Sequence, residues 1–403
     1  MFRLKSVYIK EYKNIKEQTF DFSNNTGYIA LVGLNGSGKS NLLEAIGLIL
    51  KGLLFTHKSI GFNYEIKYEI DGIEYKRRNR SAWRRNVRIS NSDMQYPTSV
   101  IACYSGEDRR LWHLAYEDYY MQYFKKAVRN RTFSPQMMYI DKYCWKIAFI
   151  ALLCSNNDNI LQLLKDCCHF NDITDISIKF TTNPLKKRDF INHMASRWYD
   201  AIIPNADPNG NINANIIVST DMMTYGAPRQ IAPDYVFQFL YLLALPQKNT
   251  QKKQTIDKLI TDIDIDINGV NFDGLSEGEK KMILVTCITQ ILGGENSVAL
   301  FDEPDAHVHI ENKKIILETL VQHSGQTILT THSPIFTTFM ANENIYPLEE
   351  GKAISAEQRD LIVKMANNNI NYIDGACIIA SKYLVVTEGP GDINYITAAI
   401  QAC

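Results

Sequence analysis

One stretch constrains this 403-residue chain more than any other: Gly33-Leu34-Asn35-Gly36-Ser37-Gly38-Lys39-Ser40. It reads G-x-x-x-x-G-K-S. The apolar run Tyr28-Ile29-Ala30-Leu31-Val32 precedes it, and Asn41-Leu42-Leu43-Glu44-Ala45-Ile46 follows with helical spacing. Strand, glycine loop and helix in that order make a phosphate cradle. Glycines let successive N–H groups turn toward one anion, and the helix N-terminus adds partial positive charge. Gly33, Asn35, Gly36, Ser37, Gly38 and Asn41 are the expected cradle residues. Lys39 is expected to reach the β- and γ-phosphates of a nucleotide, and the Ser40 hydroxyl to ligate Mg²⁺.

Composition narrows the class. A net charge of −1 rules out a polycation, so any nucleic-acid surface must be a local patch. Eight scattered cysteines show no paired C-x-x-C frame and fit a reducing compartment. Met1-Phe2-Arg3-Leu4-Lys5 is not a signal peptide, and no apolar run reaches membrane-spanning length. The expectation is a cytoplasmic protein of two or three domains with no membrane partner.

Strands are expected over 2–9 and around 19–22, then alternation from Phe62 to Ile70 turns at Asp71-Gly72 into a hairpin partner. This gives an N-terminal, β-rich lobe over 1–108. Within it, Lys76 to Arg88 packs seven basic residues around Trp83. Two readings stand: a stripe that tracks a phosphate backbone with Trp83 as stacking platform, or a charged hairpin edge that blocks aggregation. Residues 109–250 change texture. Aromatics and methionines at spacings of three and four predict a mostly helical insertion, suited to dimerisation or partner binding, with its aromatic stripes mainly core. Cys167-Cys168-His169 lacks the second ligand pair a zinc site needs. Pro246 to Thr255 reads as a linker.

The chemistry becomes dense in 251–350. Leu275-Ser276-Glu277-Gly278-Glu279 opens a helix, with Ser276 as N-cap and Glu279 three residues on. The run Ser297-Val298-Ala299-Leu300-Phe301 is a buried strand that delivers Asp302 and Glu303 at its carboxyl edge, where α/β ligand sites lie. Asp302 suits Mg²⁺, and Glu303 suits a general base beside a γ-phosphate. A further apolar strand ends in Thr331-His332-Ser333, where His332 can contact that phosphate.

The order G-x-x-x-x-G-K-S, L-S-E-G-E, apolar-D-E-P, T-H-S is similar to the ATP-binding-cassette ATPases. It resembles their SMC/RecF-like branch, shared by chromosome-maintenance and recombination ATPases, more than the transporters; the Leu4–Asn14 opening resembles that branch too. Asp305-Ala306-His307-Val308-His309 most resembles the OLD (overcoming lysogenization defect) family of defence ATPases. Glu279 departs from the usual glutamine of the signature, and Gln95 is the one candidate for the lid-loop glutamine. The resemblance implies an α/β, ABC-type P-loop ATPase head binding ATP and Mg²⁺, built as a homodimer or higher oligomer. One subunit supplies Lys39, Ser40, Asp302, Glu303 and His332, and another supplies Ser276, Gly278 and Glu279.

At the end of the chain, over 351–403, Tyr383-Leu384-Val385-Val386-Thr387 leads into Glu388-Gly389-Pro390-Gly391-Asp392. This resembles the opening of a Toprim domain, the Mg²⁺-dependent nuclease module of OLD proteins. It implies Glu388 as metal ligand or acid/base and Asp392 as a second site residue, with DNA as substrate. The chain reaches Cys403 before the paired aspartates of a complete module. Two functional expectations follow: an ATP-dependent endonuclease in defence against phage, or an ATPase switch that gates a separate effector protein or nucleic-acid complex.

Overall fold

The computed structural model describes residues 1–25, 27–55, 60–104, 110–129, 134–168, 173, 176–183, 186, 193–202, 225–226, 229–244, 247–249, 254–256, 258–366 and 396–397. Two sheets carry the fold. The first holds β1 (Phe2–Tyr12), β2 (Ile15–Asp21), β4 (Tyr64–Ile70), β5 (Ile73–Arg78), β6 (Ser81–Arg84) and β7 (Val87–Ile89), antiparallel in the order β2-β1-β4-β5-β6-β7. Alternation sets its register: Tyr64, Ile66, Tyr68 and Ile70 point to the core, and their neighbours do not. Asp71 and Gly72 both take positive φ, 50° and 76°, as a two-residue hairpin with right-handed strand twist requires.

The second sheet is built from β3 (Ile29–Val32), β8 (Ser99–Tyr104), β9 (Met137–Ile140), β17 (Ser297–Asp302), β18 (Gln326–Thr331), β19 (Ile345–Glu349) and β20 (Lys352–Ala353). Its order is β20-β19-β3-β18-β17-β8-β9, parallel throughout except at β20. Every residue of β3, β17 and β18 is buried, as expected for a sheet covered on both faces. Because these strands are parallel neighbours, the segments after Val32, Asp302 and Thr331 emerge side by side at one edge. That edge is where a doubly covered sheet binds ligands.

Ten helices are described: α1 (Lys39–Leu54), α2 (Glu117–Arg129), α3 (Trp145–Leu153), α4 (Asp158–Cys168), α5 (Met194–Ile202), α6 (Pro233–Leu243), α7 (Glu277–Cys287), α8 (Ile310–Val321), α9 (Pro334–Thr338) and α10 (Gln358–Met365). α3 is apolar all round, with Ile147 to Leu153 buried, because it packs between α6 and α7. The segment read as an insertion is therefore stitched into the head. Its β9 extends the parallel sheet, and β10 (Ile176–Thr182) pairs with β15 (Ile260–Ile267), which turns into β16 (Val270–Asn271). The aromatic stripes are core: Trp112, Tyr116, Tyr120, Tyr123, Tyr139 and Tyr241 are almost fully buried. The expected linker holds a short ribbon, β13 (Gln247–Asn249) with β14 (Gln254–Ile256); another joins β11 (Tyr225–Gly226) to β12 (Arg229–Gln230). Among the described residues no helix is long and apolar enough to cross a membrane.

Candidate nucleotide site

The phosphate loop is shaped from both flanks. A Cβ on Gly33 would lie 2.4 Å from the Leu348 carbonyl oxygen, so backbone passes where a side chain cannot. Gly38 caps α1 with φ 103°, and a Cβ there would meet Asn14 Nδ2 at 2.9 Å and Gly351 Cα at 3.0 Å. Both substitutions would deform the loop. No side chain caps the N-terminus of α1, which leaves its N–H groups to an anion. Ser37 Oγ is buried without a hydrogen-bond partner inside the loop, a second sign that a polar ligand belongs there. Lys39 is buried, and its Nζ donates to the carbonyls of Gly33 and Leu34, each at 2.9 Å. Burial pushes its amine below the ordinary lysine range, while Glu303 and Asp302 pull it back.

Three strand ends and α1 meet at Asp302. Its Oδ1 accepts from Ser40 Oγ at 3.1 Å and from Thr330 Oγ1 at 2.7 Å. Burial raises the Asp302 carboxyl above its usual range, and these two donors oppose the rise. A hydroxyl and a carboxylate side by side are the hard oxygen donors that suit Mg²⁺. Glu303, the next residue, sits at φ 50°, a conformation that costs a non-glycine residue about 1–2 kcal/mol. Its N–H donates to Thr330 Oγ1 at 3.0 Å, so one threonine holds both acidic residues. The strained turn brings Glu303 Oε1 to 2.8 Å from His332 Nδ1. The pair shifts both groups: the bond to His332 lowers the Glu303 carboxyl, and the bond to Glu303 raises the His332 imidazole.

Asp305, two residues on, is tied into the frame. It is buried against Lys313 Nζ at 2.8 Å and accepts from Thr331 Oγ1 at 2.9 Å, and Lys313 also donates to Ser333 Oγ at 3.1 Å. It thereby fixes the turn that carries His332. His307 and His309 are exposed, and Val308 between them is buried.

Ser276 caps α7 in a complete capping box: its Oγ accepts from Glu279 N–H at 3.3 Å, and Glu279 Oε2 accepts from Ser276 N–H at 2.6 Å. In its own chain this helix leans on the loop after Glu303. A Cβ on Gly278 would lie 3.4 Å from the His307 carbonyl, and Lys281 Nζ donates to the Ala306 carbonyl. Among the described residues no hydrogen bond joins Ser276 or Gly278 to the phosphate loop. The structure thus brings Lys39, Ser40, Asp302, Glu303 and His332 together and leaves Ser276, Gly278 and Glu279 as a separate cluster.

Some expectations change. Gln95 lies four residues before β8, whose Ser99 pairs with Ser297; this is the amino edge of the sheet, a strand length from Asp302. It is not placed to act as lid-loop glutamine. Trp83 has the Lys76 ammonium 4.7 Å from its ring centroid, so the ring already carries a cation on one side. Arg77 is buried on the inner face of the hairpin, its Nε donating to the Asn79 carbonyl at 3.0 Å, and leaves the basic stripe. Cross-strand pairing puts Lys67, Lys76, Trp83 and Arg88 in one row on the outer face. Glu388 and Asp392 lie outside the described residues, as do His169 and the side chain of Cys167.

Other site residues emerge only from the structure. Asn14, in the β1–β2 turn, accepts from Asn41 Nδ2 at 2.8 Å beside Gly38. Glu44 is buried in α1, bonded to Lys13 and Tyr12 and 3.6 Å from Arg110 Nε. A lone carboxylate on an apolar helix one turn past Ser40 was the available signal for the second.

Residues 6–193 match a family model described as "AAA domain", and residues 169–337 match one described as "AAA domain, putative AbiEii toxin, Type IV TA system". No curated protein matches the chain. Among solved structures, the recombination mediator protein RecF with ATPrS, of the RecFOR pathway, is similar at 17% identity and TM-score 0.37, over 87% of this chain and 97% of that one. The Smc head domain of Pyrococcus furiosus, with an extended coiled coil and bound to the C-terminal domain of ScpA, is similar at 14% identity and TM-score 0.35, over 91% and 99%. A bacterial Atm1-family ABC exporter with ATP bound is similar at 12% identity and TM-score 0.34, over 94% of this chain and 43% of the exporter. The two family matches together run from residue 6 to residue 337, and both describe AAA domains: the chain carries an ATPase domain of the AAA type, on an α/β fold.

Proposed function

We propose that this chain hydrolyses ATP in a site completed by a second copy of itself, and that the ATP cycle controls DNA cleavage. One observation carries the ATPase half. Lys39, Ser40, Asp302, Glu303 and His332 converge at one sheet edge, while the α7 N-terminus, with Ser276 and Gly278, is held apart by its own chain. A two-fold pair of chains would lay each α7 N-terminus across the other's phosphate loop. Glu303, held by His332, would orient the attacking water, and Lys39 would leave the loop carbonyls for the phosphates. Ser40 and Asp302 would hold Mg²⁺, which supplies charge neutralisation on the phosphates.

Subunit mixing tests the composite site. Lys39→Ala and Ser276→Arg should each abolish turnover alone. Mixed in equal amounts, they should recover roughly a quarter of wild-type activity, because half of the pairs are mixed and each mixed pair keeps one intact site. Turnover no higher than the two variants measured apart would place the whole site within one chain.

The nuclease half rests on the sequence around Glu388 and Asp392. Glu388→Ala should abolish Mg²⁺-dependent nicking of plasmid DNA and spare ATP hydrolysis. A second reading, an ATPase switch that gates a separate effector, is favoured by the toxin–antitoxin wording of one matched family model. It predicts no nicking by the wild-type chain at any ATP concentration.

A further inference from the structure

Two adjacent lysines of α7 reach different neighbours. Lys280 Nζ donates to the Asp273 carbonyl at 2.8 Å and lies 5.2 Å from the Trp145 ring centroid, so it ties the helix to its own entry turn and to α3. Lys281 Nζ donates to the Ala306 carbonyl instead. The Ala306 N–H in turn donates to the Glu303 carbonyl at 3.1 Å. Lys281 therefore grips the far end of the turn that opens on Glu303, the residue held at φ 50°.

Lys281 is half-buried. Burial lowers its ammonium from the ordinary lysine range, and the Asp305, Glu277 and Glu303 carboxylates, with the Cys103 thiol, pull it back. A methionine would fill the same slot without desolvating a charge, so stability alone does not select a lysine here. The same backbone also abuts the start of α7: a Cβ on Gly278 would lie 3.4 Å from the His307 carbonyl oxygen and 3.6 Å from Val308 Cα. From the other side Lys313 holds Asp305 at 2.8 Å. A displacement of the α7 N-terminus is thus passed to Ala306 and on to Glu303, and a shift of about 1 Å at a reacting group is enough to change a rate.

We infer that Lys281 is a positioning residue for two ATP sites at once: through Ala306 it sets Glu303 in its own chain, and through α7 it sets the helix N-terminus, with Ser276 and Gly278, that covers the nucleotide of a second chain. This rests on the composite site proposed above. Subunit mixing with a third substitution tests it. In a mixed pair of Lys39→Ala and Ser276→Arg chains, the one intact site takes Lys39 and Glu303 from the Ser276→Arg chain and α7 from the Lys39→Ala chain. Lys281→Met added to the Ser276→Arg chain should lower kcat for ATP about tenfold and leave KM unchanged, since Glu303 loses its alignment while the binding contacts stay. Added to the Lys39→Ala chain, it should raise KM several-fold with a smaller change in kcat, since the covering helix loosens. Lys281→Gln, too short to reach the Ala306 carbonyl, should reproduce both changes and carries the comparison if Lys281→Met fails to fold. No change from one placement, or the same change from both, overturns the proposal, because a lysine that only steadies the fold acts alike in either chain. The unmodified mixture reports the composite site by itself. Its failure removes the composite reading and this inference with it; recovery there, with no split between the two placements, removes only the role of Lys281.

Discussion

The two sheets of this molecule handle charge in opposite ways. At the carboxyl edge of the parallel sheet, separate elements hold each charged group. Asp302 is gripped from α1 and β18, Glu303 from β18 and the turn after it, and Asp305 from α8 and β18. On the antiparallel sheet, Arg78, Arg84 and Arg88 lie in strands and Arg80 and Arg85 in the turns between them, and all five are exposed. The first arrangement fixes single atoms, as bond making at phosphorus requires. The second sets up a field, which suits a long anionic ligand that can slide.

If that contrast is right, the largest effect comes from the most constrained edge. Glu303→Gln keeps the shape and the hydrogen-bond capacity toward His332 but removes the carboxylate. Turnover should fall on the order of a thousandfold, the range for loss of a positioned base, while ATP-dependent dimers accumulate on size-exclusion chromatography. Unchanged turnover would take Glu303 out of the site and dissolve the contrast.

The antiparallel sheet should respond more softly and only through charge. Lys76 and Arg88 flank Trp83 in the outer row, whereas Arg84 pairs with Tyr75 and Val87 on the other face. Replacing Lys76 and Arg88 by Glu should weaken DNA binding about tenfold or more at low salt. It should also lower the slope of log affinity against log salt by roughly two, one for each phosphate left without its cation. Arg84→Glu should do less. A salt slope that does not move would leave the charges as guards of an exposed strand edge.

Thr330→Val tests how far the frame, and not the acids alone, makes the site. Thr330 is fully buried and serves Asp302 and the Glu303 N–H together. Its loss should cost about 1–3 kcal/mol of unfolding free energy, since it removes one hydrogen bond from the buried Asp302 carboxylate and one from the Glu303 N–H while preserving volume. This threonine also marks the limit of the sequence reading. Lys39, Ser40, Asp302, Glu303 and His332 were legible because each lies within a contiguous pattern whose flanking strand or helix fixes its position. Thr330, Asn14 and Glu44 make hydrogen bonds across 27 to 32 positions and Lys313 across 8 and 20, through an arrangement of elements that no local pattern encodes. Arg77 is the reverse case: strand alternation already turned it inward between Lys76 and Arg78, but the density of basic residues hid that periodicity. β9 was obscured because a four-residue apolar strand, Met137 to Ile140, reads like one turn of the helices on either side.

The smallest expected effect is the stability that the Glu303–His332 pair itself contributes. The Glu303 carboxyl is lowered from 4.5 and the His332 imidazole is raised from 6.5, each chiefly by their mutual hydrogen bond. Lys39 opposes the rise at His332, and Asp305 adds to it. The carboxylate contributes above its unfolded value and loses its effect as pH falls through its lower folded one. The imidazolium contributes below 6.5 and fades as pH rises through its higher folded value. The two windows overlap fully only between about 4.5 and 6.5. Because both groups are partly exposed, solvent and salt screen the pair. Urea denaturation of wild type and His332→Gln should therefore show its widest gap in unfolding free energy near pH 5 to 6. The gap should narrow toward pH 9 and shrink in high salt. A gap that stays constant from pH 5 to 9 would mean that His332 stabilises the turn by packing, and that the charge at this edge is reserved for the phosphate.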